Sequence, residues 1–272
     1  MLGRNNPNLT DSRLYGIFHF RRCCGEVCYN LYNKIRKENY SDMKIVKLTL
    51  IFISLVLIGQ LVLPTSHAKI DPQTIVGIWL LDEGKGDIVK DLSKNGNNGK
   101  IVDAKWVQGK FGNALEFDGV SHVEIPATDA TDDYVDGFTY LLWVMPTAAP
   151  PNTNTRVIER DWHNPTIQIG ASDFYGSTVI KGIQDASNVR GGTWAQGEWS
   201  FVALSWDGST LSLYVDGKMV KDSKLAKPDF TKNNSGGSIW LAQWKGAAGW
   251  DFKGVIDEVG IFNVALTRLY PF

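Results

Sequence analysis

The sequence predicts an all-β protein, an antiparallel β-sandwich or jelly roll that forms a single domain after a signal segment. Short apolar runs recur at regular spacing across residues 69–272, as expected for the strands of two packed sheets. Clusters of Gly, Asn, Asp, Ser and Pro separate these runs, as turns and loops require. No stretch of about twelve residues in this region keeps a helical period, so helices are not expected to build the core.

A hairpin at residues 210–220 is the clearest predicted element. Apolar side chains alternate over 211–215, and Asp216-Gly217 then supplies a tight turn into 218–220. The remaining predicted strands share the same short, apolar character: 75–81, 113–117, 122–126, 138–144, 156–160, 166–170, 177–181, 198–206, 238–243 and 255–262.

Residues 43–68 have the layout of a secretory signal peptide. A basic start is followed by an apolar run over 48–63 and by a small-residue ending that predicts cleavage after Ala68. The alternative is an uncleaved signal anchor, since residues 45–63 are nearly long enough to cross a bilayer. In both cases the rest of the chain is expected outside the cytoplasm, either secreted or at the cell surface.

Residues 1–42 differ in composition from the rest of the chain. They contain all three cysteines, in RRCCGEVCYN, and have no hydrophobic period of either type. We interpret them as an over-extended or disordered N-terminal segment, with Met43 as the true start of translation. The exported residues 69–272 then contain no cysteine, which argues against a disulfide or redox role.

The charge of the exported part limits its partners. Residues 69–272 carry 19 Lys and Arg against 25 Asp and Glu. This acidic balance argues against nucleic acid as a partner, because phosphate binding needs a basic face. Contact with a membrane is expected only through residues 45–63, if the signal segment is not cleaved.

Five segments spread over residues 76–266 carry a resemblance to one family. They are VGIWLLDEGKGDIVKDLSKNGNNGKI, KFGNALEFDGVSHVEIP, FTYLLWVMP, EWSFVALSWDGSTLSLYVDGKMV and FKGVIDEVGIFNVAL. In this order they resemble the laminin-G-like jelly-roll domains of the concanavalin A-like lectin/glucanase superfamily, in the form found in secreted bacterial proteins. The resemblance implies one domain over 69–272, with a core motif region at 138–266. Two antiparallel sheets would pack face to face, and one would curve into a concave surface.

The resemblance makes glycoside hydrolysis the enzyme activity to consider. Retaining hydrolysis needs two carboxylates about 5 Å apart, which one strand provides at alternate positions. The nearest candidates, Asp257-Glu258, are adjacent and point to opposite faces. Glu124, Glu159 and Glu198 are isolated, and we expect them at solvated edge positions. No enzyme activity and no catalytic residues are therefore expected.

The histidines of the exported part do not change this expectation. His122 lies in a strand beside Glu124 and is expected at the surface. His163 lies in DWHNP without a Ser or Cys motif that it could activate. With no cysteine and no paired histidines in this part, a zinc site is not expected.

The stretch DLSKNGNNG, residues 91–99, matches the first half of an EF-hand loop. The match fails at position 12, which is Val102 instead of a bidentate acid. In the family that the chain resembles, this loop commonly holds a structural Ca²⁺ together with the Asp of the I-D-E-V strand. The alternative is a metal-free turn whose Asn and Asp side chains cap their own backbone. The resemblance implies these calcium ligands: Asp91, Asn95, Asn98 and Asp257.

All ten tryptophans fall in the exported part. Those inside strand runs are expected to pack between the sheets: Trp79, Trp143, Trp199, Trp206 and Trp240. Aromatic side chains on loops of a rigid sandwich are suited to recognition, although such rings can also merely cover its ends. The predicted ligand-binding residues combine loop tryptophans with polar neighbours: Asp161, Trp162, His163, Trp194, Gln243, Trp244 and Trp250.

These observations predict a secreted or surface-anchored, non-catalytic module that binds carbohydrate or a glycoconjugate and holds a structural calcium. An alternative of a different class is an extracellular protein–protein adhesion or structural domain, which the same fold serves. A glycoside hydrolase without a recognisable carboxylate pair is a third hypothesis. Whether free sugar competes with binding would distinguish the carbohydrate-binding hypothesis from the protein-adhesion hypothesis.

Overall fold

The computed structural model describes residues 70–132, 134, 136–161, 163–180, 183–225, 228, 230, 237–245, 248–266 and 269. All of them belong to the unit that begins at Lys69. The segments 1–42 and 43–68 lie outside the described residues, and the predictions made for them stay predictions. Within the described ranges, no helix has the length and apolar character needed to cross a membrane.

The described residues form short strands and two single-turn 3-10 helices, Pro72–Thr74 and Asp129–Asp132. The strands are β1 (Ile75–Trp79), β2 (Ile88–Val89), β3 (Gly99–Val102), β4 (Lys105–Gln108), β5 (Asn113–Asp118), β6 (His122–Ile125), β7 (Phe138–Pro146), β8 (Thr155–Arg160), β9 (Thr166–Ile169), β10 (Phe174–Ile180), β11 (Ile183–Gly191), β12 (Ser200–Trp206), β13 (Thr210–Val215), β14 (Lys218–Lys224), β15 (Ile239–Leu241) and β16 (Lys253–Phe262).

The strands form two antiparallel sheets of eight strands each. Sheet A has the order β14-β13-β12-β7-β16-β5-β4, and β1 also pairs with β16. Sheet B has the order β11-β10-β9-β8-β15-β6-β3-β2. Strands that are distant in sequence are neighbours in both sheets, as in a jelly roll. The prediction of an all-β antiparallel sandwich is confirmed.

The predicted hairpin at 210–220 is present as β13 and β14. Val215 pairs with Lys218, and the two residues between them, Asp216 and Gly217, have φ values of 50° and 76°. A type I′ turn needs positive φ at both central positions, which Gly adopts freely and Asp tolerates. The Asp216 side chain also accepts a hydrogen bond from Phe201 N at 2.9 Å, which ties the turn to β12.

The main hydrophobic core lies between the two sheets. Trp79 and Trp206 are almost completely buried in it, as the sequence predicts. Every residue of β12 is buried, because this strand contacts apolar side chains on both faces. Val202 and Leu204 belong to the main core, while Phe201 belongs to a second cluster on the outer face of sheet A.

The second cluster corrects the prediction for two tryptophans. Trp143 is 6% exposed and packs in this outer cluster with Phe201, and Trp199 packs against it. The Trp143 ring also has an edge contact with Phe111, with centroids 5.8 Å apart. Both tryptophans therefore lie outside the space between the sheets. The residues beside Trp143, Leu142 and Val144, are apolar, so the local pattern does not reveal which face of the sheet this tryptophan occupies.

Candidate functional site

One face of sheet B carries two rows of polar and aromatic side chains. Residues directly opposite each other in an antiparallel pair point to the same face, and the register can be followed from β3 to β11. The first row consists of Lys100, Glu124, Trp240, Glu159, Thr166, Ser177 and Asn188. The second row consists of Arg156, Gln168, Tyr175 and Arg190. We call these two rows the polar face of sheet B.

The centre of the polar face is covered although it lies outside the main core. Glu159, Thr166 and Ser177 are at most 1% exposed, whereas Lys100 and Asn188 at the two ends of the row are exposed. Buried polar groups need hydrogen-bond partners or neutralising charges to offset the loss of water. The contacts at the centre of this face therefore decide what chemistry it can perform.

Arg156 on β8 is the hub of these contacts. Its guanidinium donates to Gln168 Oε1 at 2.6 Å, to the Asn154 carbonyl and to Glu159 Oε2. Its Nη2 also meets His163 Nε2 at 3.1 Å. The side chain of Arg156 is 3% exposed, so this ion pair with Glu159 is shielded from solvent. A buried pair of this kind holds its members in place, because separating them would leave an uncompensated charge.

His163 bridges Arg156 and Ser177. Its Nδ1 meets Ser177 Oγ at 2.6 Å and Gln168 Nε2 at 3.2 Å. Arginine and an amide nitrogen only donate, so both ring nitrogens of His163 face a donor group. Burial, and then the charge of Arg156, lower the pKa of His163 to about 3, so the imidazole is neutral.

Glu159 corrects a sequence-based expectation. It was expected at a solvated edge, yet it is 1% exposed and lies on an interior strand of sheet B. Burial raises its pKa, and the charge of its ion-pair partner Arg156 acts in the opposite direction. Its Oε1 has no hydrogen-bond partner among the described residues. The expectation failed because the run RVIER shows no alternation that separates a solvent-facing side from a core-facing side.

Two predicted ligand-binding tryptophans lie over Arg156. The guanidinium carbon of Arg156 is 5.3 Å from the ring centroid of Trp244 and 5.3 Å from that of Trp250. The two rings meet edge to face, with centroids 6.1 Å apart. Both tryptophans are half-buried. A cation against an aromatic face is attracted by the ring quadrupole, so Arg156 fixes the orientation of both indoles beside the polar face.

Trp240 was expected between the sheets, and this prediction is wrong. Its neighbours on β15, Ile239 and Leu241, belong to the main core, whereas Trp240 does not. Successive side chains of a strand alternate between faces, which places Trp240 on the polar face, opposite Glu159 and Glu124. The run SIWLAQ is apolar at four consecutive positions, so its pattern could not assign Trp240 to either face.

The ring of His122 on β6 lies next to the ring of Trp240. The two rings lie 4.9 Å apart between centroids, with an interplanar angle of 33°. His122 is half-buried rather than fully at the surface. Burial lowers its pKa, although the Val120 carbonyl and the acids Glu124 and Asp251 act in the opposite direction. Neither His122 nor Trp240 was among the predicted ligand-binding residues.

The other predicted ligand-binding residues lie at separate places in the structure. Asp161 is 2% exposed and has a positive φ of 50° at the end of β8. Gln243 donates to the Val120 carbonyl at 3.3 Å, near His122. Trp194 packs against the main core, and its indole N–H donates to the Gly170 carbonyl at 3.0 Å. Trp162 lies outside the described residues. The structure thus brings His163, Trp244 and Trp250 together through Arg156, without Trp194.

The loop 91–99 is organised by the Asp91 carboxylate. Its Oδ1 accepts from Ile78 N at 3.0 Å and from Ser93 N at 2.8 Å. Its Oδ2 accepts from Ser93 Oγ at 2.7 Å and from Asn97 N at 2.8 Å. Asn98 Oδ1 accepts from Asp91 N at 2.9 Å. The carboxylate therefore caps its own loop, as Asx-type turns do.

Asn95 and Asp257, the other two predicted calcium ligands, make separate contacts. Asn95 donates its amide to the carbonyls of Ile75 and Val76, each at 2.9 Å. Asp257 Oδ2 accepts from Phe111 N at 3.0 Å, at a different turn. No cluster of three or more His, Cys, Asp or Glu suited to a metal occurs among the described residues. The N–H groups that face Asp91 do not fit a cation shared with Asp257, and the structural calcium stays a prediction.

Comparisons with known proteins agree with this architecture. A family profile described as the Concanavalin A-like lectin/glucanases superfamily matches residues 117–269, more than half of the chain. No curated protein matches the sequence.

Three solved structures illustrate the similarity. Domain 4 of AbnA, a GH43 extracellular arabinanase from Geobacillus stearothermophilus in complex with arabinotriose, is 19% identical, with a TM-score of 0.54 over 71% of this chain and 94% of that one. A Trypanosoma rangeli sialidase mutant displaying trans-sialidase activity is 16% identical, with a TM-score of 0.53 over 73% and 32%. The botulinum neurotoxin serotype C1 binding domain is 13% identical, with a TM-score of 0.51 over 72% and 50%. At these identities the similarity concerns the fold alone.

Proposed function

We propose that this chain, which belongs to the Concanavalin A-like lectin/glucanases superfamily, is a secreted or surface-anchored module that binds a carbohydrate or glycoconjugate without cleaving it. Its binding surface is formed by the half-buried rings of Trp244 and Trp250 and by the accessible end of the polar face of sheet B, at Lys100 and Glu124. One observation carries the proposal: Arg156 holds the rings of Trp244 and Trp250 beside a row of polar side chains.

The chemistry of this surface is suited to saccharides. A sugar ring has an apolar face of C–H groups and a rim of hydroxyls, so it needs aromatic surface next to hydrogen-bonding side chains. Binding sites generally combine such apolar lining with a few polar groups of fixed orientation. Here the indoles are oriented by the buried guanidinium, and the polar groups stand on strands instead of flexible loops. Little conformational entropy remains to be lost on binding.

The contacts of Glu159 favour binding over hydrolysis. A retaining hydrolase needs one carboxylate as nucleophile and a second as acid/base, about 5–5.5 Å apart. Glu159 Oε2 is engaged by Arg156, which opposes its use as a proton donor or a nucleophile. Glu124, the next acid in the same row, stands two strands away, roughly 10 Å at the usual strand spacing.

Binding to a glycan array tests the proposal. The protein and its Trp244→Ala and Trp250→Ala variants would be screened in parallel, with Trp199→Ala as control because Trp199 lies on the outer face of sheet A. We expect the first two variants to lose binding and the control to retain it. If free sugar does not compete with the observed binding, an extracellular protein partner is favoured. Release of reducing sugar from a polysaccharide would favour the hydrolase.

A further inference from the structure

The loop 91–99 contains two Asn-Gly steps, Asn95-Gly96 and Asn98-Gly99. Asparagine is a thermolabile residue, because the backbone nitrogen of the next residue can attack its side-chain Cγ and expel the amide as ammonia. A following glycine favours this deamidation, since it has no Cβ to hinder the attack and adopts many backbone conformations. The surroundings of the two glycines therefore decide which step can react in the folded protein.

Gly99 is held inside the sandwich. It is buried in β3 and pairs with Val89 of β2. Ile101 N donates to the Asp87 carbonyl at 2.7 Å. Hydrogen-bonded pairs alternate along an antiparallel ladder, so the Val89–Gly99 pair, two positions away, is hydrogen-bonded as well. Even a methyl group at Gly99 would collide with three neighbouring side chains. Reaction at Asn98 therefore requires Gly99 to leave its strand.

Gly96 has open surroundings. It is exposed and has a φ of 67°, and a methyl group at this position would meet no heavy atom within 4 Å. Its carbonyl accepts from Asn98 N at 2.8 Å, whereas its N–H has no hydrogen-bond partner in the part of the chain that the structure describes. The backbone nitrogen that must attack Asn95 is thus available in the folded state.

The Asn95 side chain is fixed only by its own amide. Asn95 is half-buried, and Nδ2 donates to the carbonyls of Ile75 and Val76, each at 2.9 Å. Release of one side chain is a smaller local opening than separation of β3 from β2, and smaller openings need less free energy. We infer that Asn95 is a site of spontaneous deamidation in the folded protein and that Asn98 is protected by β3.

The reaction needs no reagent other than water. The Gly96 nitrogen loses its proton and forms a bond to Cγ of Asn95, the Cγ–Nδ2 bond breaks, and the amide leaves as ammonia with that proton. Water then opens the cyclic succinimide at either of its two carbonyls. The product at position 95 is an aspartyl or an isoaspartyl residue. No electrons are transferred.

The product cannot keep the contacts of the amide. A carboxylate has no N–H to donate, and it places a negative charge against the carbonyls of Ile75 and Val76, which only accept. These residues begin β1, which pairs with β16 in sheet A. Deamidation of Asn95 therefore detaches the loop 91–99 from β1 irreversibly, and it limits how long the domain keeps its native loop.

Peptide mapping during incubation in mildly alkaline buffer tests the inference. Cleavage by trypsin after Lys94 and Lys100 releases residues 95–100, in which fragment ions distinguish Asn95 from Asn98. In the folded protein we expect Asn95 to deamidate at least about tenfold faster than Asn98, equivalent to about 1.4 kcal/mol. In protein unfolded by urea the two rates should become similar, because no strand then protects Asn98.

Two results would overturn the inference. One is deamidation of Asn98 in the folded protein at the rate of Asn95 or faster, and the other is an unreacted Asn95 while the unfolded control reacts. Asn95→Asp should lower the melting temperature or prevent folding. Asn98→Asp keeps an oxygen that accepts from Asp91 N and should change the melting temperature little. Equal melting temperatures of the two variants would overturn the proposed consequence for the loop.

Discussion

The indole N–H of Trp79 donates to the backbone carbonyl of Asn97 at 2.9 Å. This bond ties the polar loop 91–99 to one of the largest side chains of the main core. Asn97 is itself 2% exposed, and its N–H is bound by Asp91. A loop that looks like a surface metal-binding segment in sequence is thus part of the packed structure.

Removal of the Asp91 carboxylate should therefore destabilise the domain. Asp91→Ala leaves the N–H groups of Ile78, Ser93 and Asn97 without their acceptor. Part-buried donors that lose an acceptor cost about 1–3 kcal/mol each before relaxation and water entry. We expect a net loss of about 2–4 kcal/mol in the free energy of unfolding, measured with urea. Asp87→Ala, at an exposed position, should change it by less than about 0.5 kcal/mol.

Removal of calcium by a chelator distinguishes between two interpretations of the loop 91–99, a calcium site and a metal-free turn. A calcium ion bound only by the folded state would raise the melting temperature. Four hydrogen bonds already satisfy the Asp91 carboxylate, so the metal-free turn predicts that excess chelator leaves the melting temperature unchanged. A clear fall on chelation, reversed by added Ca²⁺ and absent in Asp257→Asn, would restore the shared calcium site.

Two arginine ion pairs of sheet B, Arg156–Glu159 and Arg190–Asp173, should differ in strength. Arg156→Met leaves the buried Glu159 without its counter-ion and removes the contacts with two indoles, so we expect a loss of about 3–5 kcal/mol. Arg190→Met breaks a pair whose arginine side chain is 40% exposed, and should cost at most about 1 kcal/mol. Denaturant unfolding of both variants measures the difference. Equal losses would contradict a shielded position for Arg156.

Asp257 and Glu258, in the middle of β16, should make the free energy of unfolding fall as the pH rises. Burial, and then the charges of Asp257 and Asp82, raise the pKa of Glu258 from 4.5 to about 7. A carboxyl with a raised pKa stabilises the fold fully below its unfolded value, and this contribution is lost as the pH rises through the folded value. The contribution of Glu258 to the free energy of unfolding should therefore decrease between about pH 4.5 and 7, whereas His163, whose pKa is lowered to about 3, contributes an increase up to about pH 6.5.

Glu258→Gln tests this dependence. The variant should flatten the decrease and be more stable than the parent above pH 7. Solvent screening of the partly exposed side chain limits the gain to about 1 kcal/mol or less. The measurement is urea unfolding at a series of pH values, with the exposed Glu198→Gln as control. Asp257 should retain a smaller decrease of its own, since its pKa is raised to about 6, mainly by burial.

Strand positions were predictable where apolar residues mark a buried strand. The runs at 138–144 and 255–262 correspond to β7 and β16, which the structure extends by two residues at one end. β11 was missed because IQDASNVRG contains mainly polar residues, and it forms one end of sheet B. The short strands β2 and β4 were missed as well. An end strand or a very short strand needs no continuous apolar run, so its sequence carries little signal.

The candidate site was only partly predictable. Loop-like sequence around Trp244 and Trp250 marked them correctly as residues outside the core, and the structure places them together. Nothing in the sequence marked Arg156 as their common contact, because it lies far from both along the chain. Trp240 was assigned to the wrong face because its neighbours along the strand are also apolar, and only its pairing with distant strands shows the face that it occupies.

The sequence by itself determined the all-β class, the order of the main strands and the turn at Asp216-Gly217, because these depend on side-chain period and on local φ preferences. Only the tertiary structure decided which face of a strand meets the core. When both neighbours of a residue are apolar, as with Trp240, the period of two is lost. Its position then follows from pairing with distant strands, here with Glu159 and Glu124. Those long-range pairs, and not the local pattern, create the polar face of sheet B.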